Sequence, residues 1–248
     1  MADQTVIVFD RDGDPETGLQ DWEPIDPASL DSGNPQQRGH IYFSTAGDRL
    51  TAGVWDCTAF TEKRGPYSVD EFMILLEGSL DIENEDGSLQ TFHAGDGFVI
   101  PKGAVLQWRQ REYLRKFWVI HDNPDSAPAA PGLSALLADA KAPLPAVTGL
   151  DPAPFVGEVP QMGQRNLYQD PGGRFLAGIW ECSPMQRKPT TIERSELMHI
   201  VEGSGSITNA DGVVFEFSAG DTFLVPIGMG YQWQNHEYVK KLFCSYTP

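Results

Sequence analysis

The residues EFMILLEGS (71–79) return 125 positions later as ELMHIVEGS (196–204). Sliding the chain by 125 positions aligns residues 35–122 with residues 160–247 without a gap, and 30 of the 88 aligned pairs are identical. Chance does not produce this agreement over a gapless span. The sequence therefore indicates an internal duplication of one domain.

Each copy consists of short apolar runs that alternate with turn signals. Asp86-Gly87 and Asp211-Gly212 are typical of hairpin turns, and no amphipathic stretch of about twelve residues or more lies inside either copy. Evenly spaced short strands are typical of an antiparallel sandwich or barrel, so the predicted fold class is all-β.

The duplication divides the chain into four segments. Residues 1–34 form an acidic, turn-rich N-terminal arm with one strand predicted at residues 5–9, and residues 35–122 form the first copy. Residues 123–159 are predicted to be a linker because proline and alanine are frequent at its ends. Within it, GLSALLADAK (132–141) could form one short helix, and the second copy occupies residues 160–248.

The composition limits the classes of partner. The 248 residues carry a formal charge of −17, which repels phosphate backbones and anionic headgroups, so nucleic-acid and membrane partners are not expected. The three cysteines have no close spacing, and no stretch has the length and apolarity of a signal peptide or membrane span. We therefore expect an acidic, cytoplasmic protein with reduced thiols.

Two motifs occur once in each copy. A glutamate stands seven residues before a glycine at 71/78 and at 196/203, and G-x5-P-x-G begins at Gly95 and at Gly220. In these motifs the chain resembles the cupin superfamily. The resemblance implies a bicupin, that is, two tandem jelly-roll barrels related by pseudo-two-fold symmetry within one chain, with further homodimerisation as an alternative.

Further residues resemble one branch of that superfamily, which holds ureidoglycine aminohydrolase and the ethanolamine-utilisation cupin. The shared features are a Gly-x-Trp, the phrase LEG or VEG, a Trp seven residues after the motif proline, and a late lysine. In this chain they include Trp55, Trp180, Trp108, Trp233, Lys116 and Lys241.

The chain departs from metal-binding cupins, which carry H-x-H before the motif glutamate and a histidine in the second motif. Here those positions hold Gly65/Tyr67 or Arg64/Pro66 in copy one, Thr190/Ile192 or Pro189/Thr191 in copy two, and Leu106 and Tyr231. A divalent metal needs three or four converging N, O or S ligands. No cofactor is therefore expected, and Mn, Fe, Ni or Zn held by residues from other loops remains an alternative.

The motif glutamates are the candidate catalytic residues. Glu71 and Glu196 begin apolar strands, and a buried carboxylate is suited to acid–base chemistry. Tyr67 and Lys63 are predicted to supply hydrogen bonds to the substrate. An equally weighted interpretation makes each glutamate structural, paired with an interior residue: Arg49, Lys63 or Tyr67 for Glu71, and Arg174 or Lys188 for Glu196.

The candidate substrate-binding residues are Trp108, Trp233, Tyr231, Gln107, Gln232 and Arg49. Strand alternation turns positions 106, 108 and 110 inward, together with 231, 233 and 235. The same alternation turns Gln107 and Gln232 outward. For Tyr67 and Tyr231, simple core packing is as well supported as substrate contact.

Two repeated charge pairs lie four residues apart, Glu112/Lys116 and Glu237/Lys241. Residues four apart on a strand share a face, so these are predicted to be surface ion pairs of small energetic value.

Three functions fit these patterns. The first is a metal-independent isomerase, lyase or hydrolase that acts on a small polar metabolite inside one or both barrels. The second is a non-catalytic metabolite-binding or sensor protein. The third is a metal-dependent enzyme similar to ureidoglycine aminohydrolase, whose metal ligands come from loops that the motifs do not predict; Gln107 or Gln232 could add an amide ligand.

Overall fold

The computed structural model describes residues 5–124 and 132–248, and their regular structure is almost entirely β-strand. The strands of the first half are β1 (Ile7–Val8), β2 (Gln20–Asp21), β3 (Leu30–Gly33), β4 (Gln37–Ser44), β5 (Leu50–Cys57), β6 (Phe60–Glu62), β7 (Gly65–Pro66), β8 (Asp70–Glu77), β9 (Ser79–Asn84), β10 (Leu89–His93), β11 (Gly97–Ile100), β12 (Val105–Gln110), β13 (Leu114–His121) and β14 (Leu136–Leu137). Those of the second half are β15 (Met162–Gln169), β16 (Phe175–Cys182), β17 (Met185–Gln186), β18 (Thr190–Thr191), β19 (Ser195–Glu202), β20 (Ser204–Asn209), β21 (Val214–Ser218), β22 (Thr222–Val225), β23 (Gly230–Asn235) and β24 (Val239–Tyr246). The other elements are two single-turn 3₁₀ helices, Pro27–Ser29 and Ala46–Asp48. No helix among the described residues is long and apolar enough to cross a membrane. The all-β prediction is confirmed.

The described residues form two compact units. One unit holds Phe9–Ala138 together with Asp170–Gly173, and the other holds Asp139–Gln169 and Arg174–Pro248 together with the described residues up to Val8. We call them the first and the second barrel.

Each barrel consists of two antiparallel sheets. In the first barrel the strand orders are β14-β11-β8-β13-β5-β4-β2 and β10-β9-β12-β6-β3, with β7 also paired to β12. In the second barrel they are β1-β22-β19-β24-β16-β15 and β17-β23-β20-β21, with β18 also paired to β23. The hairpins predicted at Asp86-Gly87 and Asp211-Gly212 connect β9 to β10 and β20 to β21.

Alternation along the central strands directs the apolar residues and the motif glutamates into the same interior. On β8, Met73 and Leu75 belong to the buried core of the first barrel, and Glu71 lies on their face, two residues earlier. On β19, Met198 and Ile200 belong to the core of the second barrel, and Glu196 holds the matching place. The repeat thus delivers one carboxylate to the interior of each barrel.

The short helix considered for residues 132–141 is wrong. In this segment Leu136–Leu137 is a strand that pairs with Val99 and Phe98 of β11, and the flanking Ala135 and Ala138 are buried. An extended segment satisfies the backbone groups at the open edge of β11, which a helix leaves unpaired. The preceding linker residues 125–131 lie outside the described residues, as do residues 1–4 of the N-terminal arm.

The turn glycine of the first motif has a backbone that only glycine fits. Gly78 has φ +82°, and a Cβ added there would collide with the carbonyl oxygen of Tyr113. We expect Gly78→Ala to lower the free energy of unfolding by about 2–3 kcal/mol, of which about 1 kcal/mol is backbone strain and the rest steric overlap. Gly87→Ala is the matched control, because Gly87 has φ +83° with no atom within 4 Å of the added Cβ. Equal losses in the two variants, measured by urea unfolding, would contradict the steric argument.

Candidate functional site

Each barrel buries a glutamate–lysine ion pair that connects two neighbouring strands. Lys116 Nζ on β13 donates to Glu71 Oε1 at 2.8 Å, and Lys241 Nζ on β24 donates to Glu196 Oε1 at 2.8 Å. None of the four residues is more than 8% exposed. A single buried charge is costly, so each member of a pair compensates its partner.

Each ammonium group also contacts a thioether sulfur and two indole rings. Lys116 Nζ lies 3.1 Å from Met73 Sδ, and 4.9 and 4.8 Å from the ring centres of Trp55 and Trp108. In the second barrel the same contacts reach Met198, Trp180 and Trp233. Cation–π attraction is strongest where water is absent, so the cage adds to the stability of the buried charge.

The surface ion pairs predicted for Glu112/Lys116 and Glu237/Lys241 are wrong. Both lysines are interior, whereas Glu112 accepts a hydrogen bond from Ser79 Oγ and Glu237 accepts one from Ser204 Oγ at the surface. The two glutamates precede β13 and β24, so strand alternation does not extend back to them.

The second carboxylate oxygen has a different partner in each barrel. The Tyr67 hydroxyl donates to Glu71 Oε2, and burial beside Glu71 raises the pKa of Tyr67 well above its ordinary value. In the second barrel Ile192 occupies the aligned position, and Arg194 Nε donates to Glu196 Oε2 at 2.8 Å. The aligned residue of Arg194 in the first copy is Val69. A neutral donor in one barrel is therefore replaced by a cation in the other.

The two interiors also differ in volume. The cavity of the second barrel has a volume of about 640 Å³, against about 170 Å³ in the first barrel. In the first barrel, the indole of Trp22 lies directly over Gly39 and lines the smaller cavity. In the second barrel, the residue aligned with Gly39 is Gln164, and its side chain lines the larger cavity. The indole of Trp22 thus takes up space above Gly39 in the first barrel.

The larger cavity is lined by three basic side chains, Arg187, Arg194 and Lys241. Among the described residues, no atom accepts a hydrogen bond from Arg187 Nε, although that atom is buried. The residue aligned with Arg187 in the first copy is Glu62, so this position has the opposite charge in the two barrels. Burial raises the pKa of Glu62.

The pKa shifts in the second barrel follow from burial and from these charges. Burial alone would raise the pKa of Glu196, but the charges of Lys241 and Arg194 and their hydrogen bonds outweigh it and hold that pKa below its ordinary value. Burial lowers the pKa of Lys241, and the nearby guanidinium groups of Arg194 and Arg187 add to that effect against the attraction of Glu196. Burial also raises the pKa of Tyr231. The cavity therefore holds an ionised carboxylate beside a lysine that loses its proton more easily than usual.

The structure brings some of the predicted site residues together. Glu71 and Tyr67 are hydrogen-bonded in the first barrel, which agrees with the structural alternative for this pair. Glu196, Tyr231 and Trp233 all line the cavity of the second barrel.

Other predicted site residues lie elsewhere. Lys63 is exposed and donates to Ala28 O, because it follows β6 at the outer surface of the first barrel. Arg49 precedes β5 and donates to Asn123 Oδ1, and it lines neither cavity. Trp108 is 3% exposed in the core, stacked on Phe60 with ring centres 6.4 Å apart, and it lines no part of the smaller cavity.

The two glutamines also lie outside the cavities. Gln107 Nε2 donates to Asp31 Oδ2 and Glu62 O, and Gln232 Nε2 donates to Arg187 O. The alternation predicted from the sequence is confirmed, since Leu106 and Trp108 are in the core and Tyr231 and Trp233 face the cavity. Each glutamine therefore holds a flanking segment against the outside of its sheet.

The donor set at the motif glutamate does not fit a divalent metal. In the second barrel, both oxygens of Glu196 are already engaged by the cations Lys241 and Arg194, so a metal ion there would meet two positive charges. Among residues 5–124 and 132–248, no three His, Cys, Asp or Glu side chains come together as a metal-binding group.

Two antiparallel barrels in one chain, each with the two motifs and an inward carboxylate, define the class as a bicupin. The family model of the EutQ-like cupin domain matches residues 45–118 and residues 169–243, and the chain belongs to this family. A comparison with curated protein sequences gives no match.

Several solved structures share the fold. A protein of unknown function of the DUF861 family from Pseudomonas syringae pv. tomato superposes with a TM-score of 0.76 at 20% identity, covering 98% of this chain and 100% of that one. A cupin 2 conserved barrel domain protein from Leptotrichia buccalis has a TM-score of 0.56 at 11% identity, with 92% and 98% covered. Salicylate 1,2-dioxygenase from Pseudoaminobacter salicylatoxidans has a TM-score of 0.52 at 13% identity, with 80% and 71% covered. At these identities the similarity concerns the fold alone.

Proposed function

We propose that the second barrel binds a small organic anion, and that the protein is a metal-independent enzyme of the isomerase, lyase or hydrolase type acting on it. The observation that carries the proposal is the buried Nε of Arg187, which has no acceptor among the described residues and belongs to a side chain lining a cavity of about 640 Å³. An arginine that lines a cavity without a carboxylate partner attracts anions, and a carboxylate matches the planar geometry of the guanidinium group.

The charge balance of the interior supports an anionic ligand. Glu196 is neutralised twice, by Lys241 and by Arg194, which leaves the charge of Arg187 without a counter-charge in the buried part of the cavity. The lining as a whole has three basic and three acidic side chains, and Asp151, Glu193 and Arg194 are exposed, where water screens their charges. Because the whole chain carries −17, the less exposed charge of Arg187 provides a local attraction for anions that the outer surface does not.

The apolar side of the cavity limits the rest of the ligand. Ile192, Met185, Phe155 and Trp233 line it and offer contact for a short hydrocarbon or ring. The fitting class is therefore a small carboxylate with an apolar body.

The acid–base role falls to Lys241. Burial lowers the pKa of Lys241, so its ammonium group releases a proton more readily than that of an exposed lysine. Glu196 holds the ammonium group in place at 2.8 Å and stabilises its charged form. This arrangement suits proton transfer at a carbon next to a carbonyl or carboxylate group.

A second candidate function is binding without turnover. The ammonium group of Lys241 is already held by Glu196 Oε1, Met198 Sδ and two indole rings. An ammonium group with all these contacts could also line a binding site without taking part in proton transfer, as in a sensor protein.

Isothermal titration with isovalerate and with its neutral analogue isovaleramide tests the proposal. We expect isovalerate to bind and isovaleramide to bind at least about tenfold more weakly, because a hydrogen bond to a charged group contributes about 1.5–3 kcal/mol. Arg187→Gln should weaken isovalerate binding by the same factor. Glu62→Gln, at the aligned position of the first barrel, is the matched control and should leave it unchanged.

Equal affinities for the acid and the amide, or an Arg187→Gln variant that binds isovalerate normally, would contradict the anion site. Incubation of short 2-oxo acids with the protein in deuterated water then separates the two candidate functions. Exchange of the C3 protons beyond the rate of the buffer supports the enzyme, and binding without exchange supports the sensor.

A further inference from the structure

Each barrel has a tyrosine at a position where metal-binding cupins carry a histidine, Tyr67 in the first copy and Tyr231 in the second. The Tyr67 hydroxyl donates to Glu71 Oε2, so this donor is used within the first barrel. In the second barrel the corresponding oxygen, Glu196 Oε2, accepts from Arg194 Nε instead. The tyrosine of the second barrel therefore has no carboxylate to bind within the protein.

The hydroxyl of Tyr231 is unpartnered and accessible. Among the described residues, no atom forms a hydrogen bond with it. The side-chain polar atoms there that are both unpartnered and shielded are Asn84 Oδ1, Trp118 Nε1 and Arg187 Nε, and the Tyr231 hydroxyl is not one of them. Because Tyr231 lines the cavity of the second barrel, its hydroxyl is open to a molecule in that cavity.

The charges of the cavity act on the phenol of Tyr231. Burial is the main cause of its raised pKa, the charge of Arg187 opposes this effect, and the charge of Glu196 adds to it. Because such effects decline with distance, the hydroxyl lies on the side of the cavity that holds these two charges. The raised pKa also keeps the hydroxyl protonated at neutral pH, so it is a hydrogen-bond donor.

The backbone brings Arg187 and Tyr231 to neighbouring places in the sheet. Arg187 N donates to Trp233 O at 2.8 Å, and Tyr231 lies two residues before Trp233 on the same face of β23. Two residues of a strand span about 7 Å, so a carboxylate at Arg187 and an oxygen at Tyr231 fit within one small molecule. The aligned residues of the first copy, Glu62 and Leu106, offer neither the cation nor the hydroxyl.

We propose that the anion site of the second barrel selects 2-oxo acids, with the carboxylate held by Arg187 and the 2-oxo oxygen accepting a hydrogen bond from the Tyr231 hydroxyl. The apolar lining residues, among them Ile192 and Met185, contact the short hydrocarbon chain of the acid. This inference rests on the function proposed above, because it needs the anion site, and it applies to an enzyme and to a sensor alike.

Isothermal titration with two acids of equal chain length tests the role of Tyr231. The acids 4-methyl-2-oxopentanoate and 4-methylpentanoate differ only at the carbon next to the carboxylate, which is a carbonyl in one and a methylene in the other. We expect the wild-type protein to bind the 2-oxo acid about 3- to 10-fold more tightly, which is the contribution of one neutral hydrogen bond. Tyr231→Phe should remove this preference and leave the affinity for 4-methylpentanoate unchanged.

Tyr238→Phe is the matched control. It removes a hydroxyl of the same barrel that donates to Glu181 Oε2, and neither of these residues lines the cavity, so the preference for the 2-oxo acid should persist. If Tyr231→Phe does not fold, Tyr231→Leu replaces it, since leucine is the residue of the first copy at this position.

The outcomes separate this inference from the proposed function. Equal affinities of the wild-type protein for the two acids, or a Tyr231 variant that keeps the preference, overturn the role of Tyr231 and leave the anion site in place. If the wild-type protein binds neither acid, the anion site itself is wrong, and the selection of 2-oxo acids is wrong with it.

Discussion

Replacing Lys116 with methionine is expected to lower the free energy of unfolding of the first barrel by about 3–5 kcal/mol. The substitution keeps the apolar length of the side chain but leaves the carboxylate of Glu71 buried with the Tyr67 hydroxyl as its remaining hydrogen-bond donor. A buried charge that has lost its counter-charge is one of the few causes of so large a loss from a single substitution.

The aligned substitution in the second barrel provides the matched comparison. Lys241→Met should cost less, because Arg194 still donates to Glu196 Oε2 at 2.8 Å and keeps a positive charge beside the carboxylate. Replacing both members of the first pair, Glu71→Leu with Lys116→Met, should recover most of the stability lost in Lys116→Met.

Amide hydrogen exchange followed separately in β8 and β19 measures the two barrels within one chain. This readout is needed because two barrels in one chain do not have to unfold in a single transition. If Lys116→Met and Lys241→Met destabilise their barrels equally, or if the double replacement is no better than Lys116→Met, the argument from compensated charge is wrong.

The position of these lysines shows where prediction from the sequence reached its limit. The repeat, the strands and the hairpins follow from patterns in the sequence, and all are observed. The inward direction of Glu71 and Glu196 is what the resemblance to the motif implies, and both lie on the core face of their strands. The four-residue spacing predicts that Glu112 and Lys116 share one face of a strand. In the structure β13 begins only at Leu114, and its pairing with β8 shifts register between Arg115 and Lys116. Strand boundaries and bulges depend on the partner strand, which local sequence does not specify.

The two arginines of the second barrel were missed for a different reason. Alignment of the copies draws attention to identical residues, whereas Arg187 and Arg194 stand opposite Glu62 and Val69. The change of charge between the copies at these two positions was the feature of the sequence that could have indicated a site specific to the second barrel.

The packing of the N-terminal arm against the core of the first barrel could not be predicted from a comparison of the two copies. Trp22 and Leu30 pack against its core, and both belong to the arm before the repeat. The identical residues Trp108 and Trp233 both belong to a buried core, but Trp233 also lines a cavity and Trp108 does not.

The charge reversal also gives the largest expected effect on binding. Arg187→Glu combined with Arg194→Val places the residues of the first copy in the second barrel, and we expect it to weaken isovalerate binding by at least about 100-fold. Loss of one hydrogen bond from Arg187 to a charged ligand costs about 1.5–3 kcal/mol, which corresponds to about 10–10² in affinity, and loss of Arg194 removes one of the two cations that neutralise Glu196. The substitution also leaves the carboxylate at position 187 to repel the ligand directly.

The reciprocal variant, Glu62→Arg with Val69→Arg, separates charge from space. It gives the first barrel the same two cations, yet Tyr67 still holds Glu71 Oε2 and the cavity there is about 170 Å³. We therefore expect it to gain no isovalerate binding, as measured by the same titration. If the reciprocal variant gains isovalerate binding, charge alone defines the site. If the variant Arg187→Glu with Arg194→Val still binds isovalerate, the anion is not held by these arginines. If isovalerate binding is lost from the second barrel and not gained by the first, then binding depends on both the cations and the larger cavity of the second barrel.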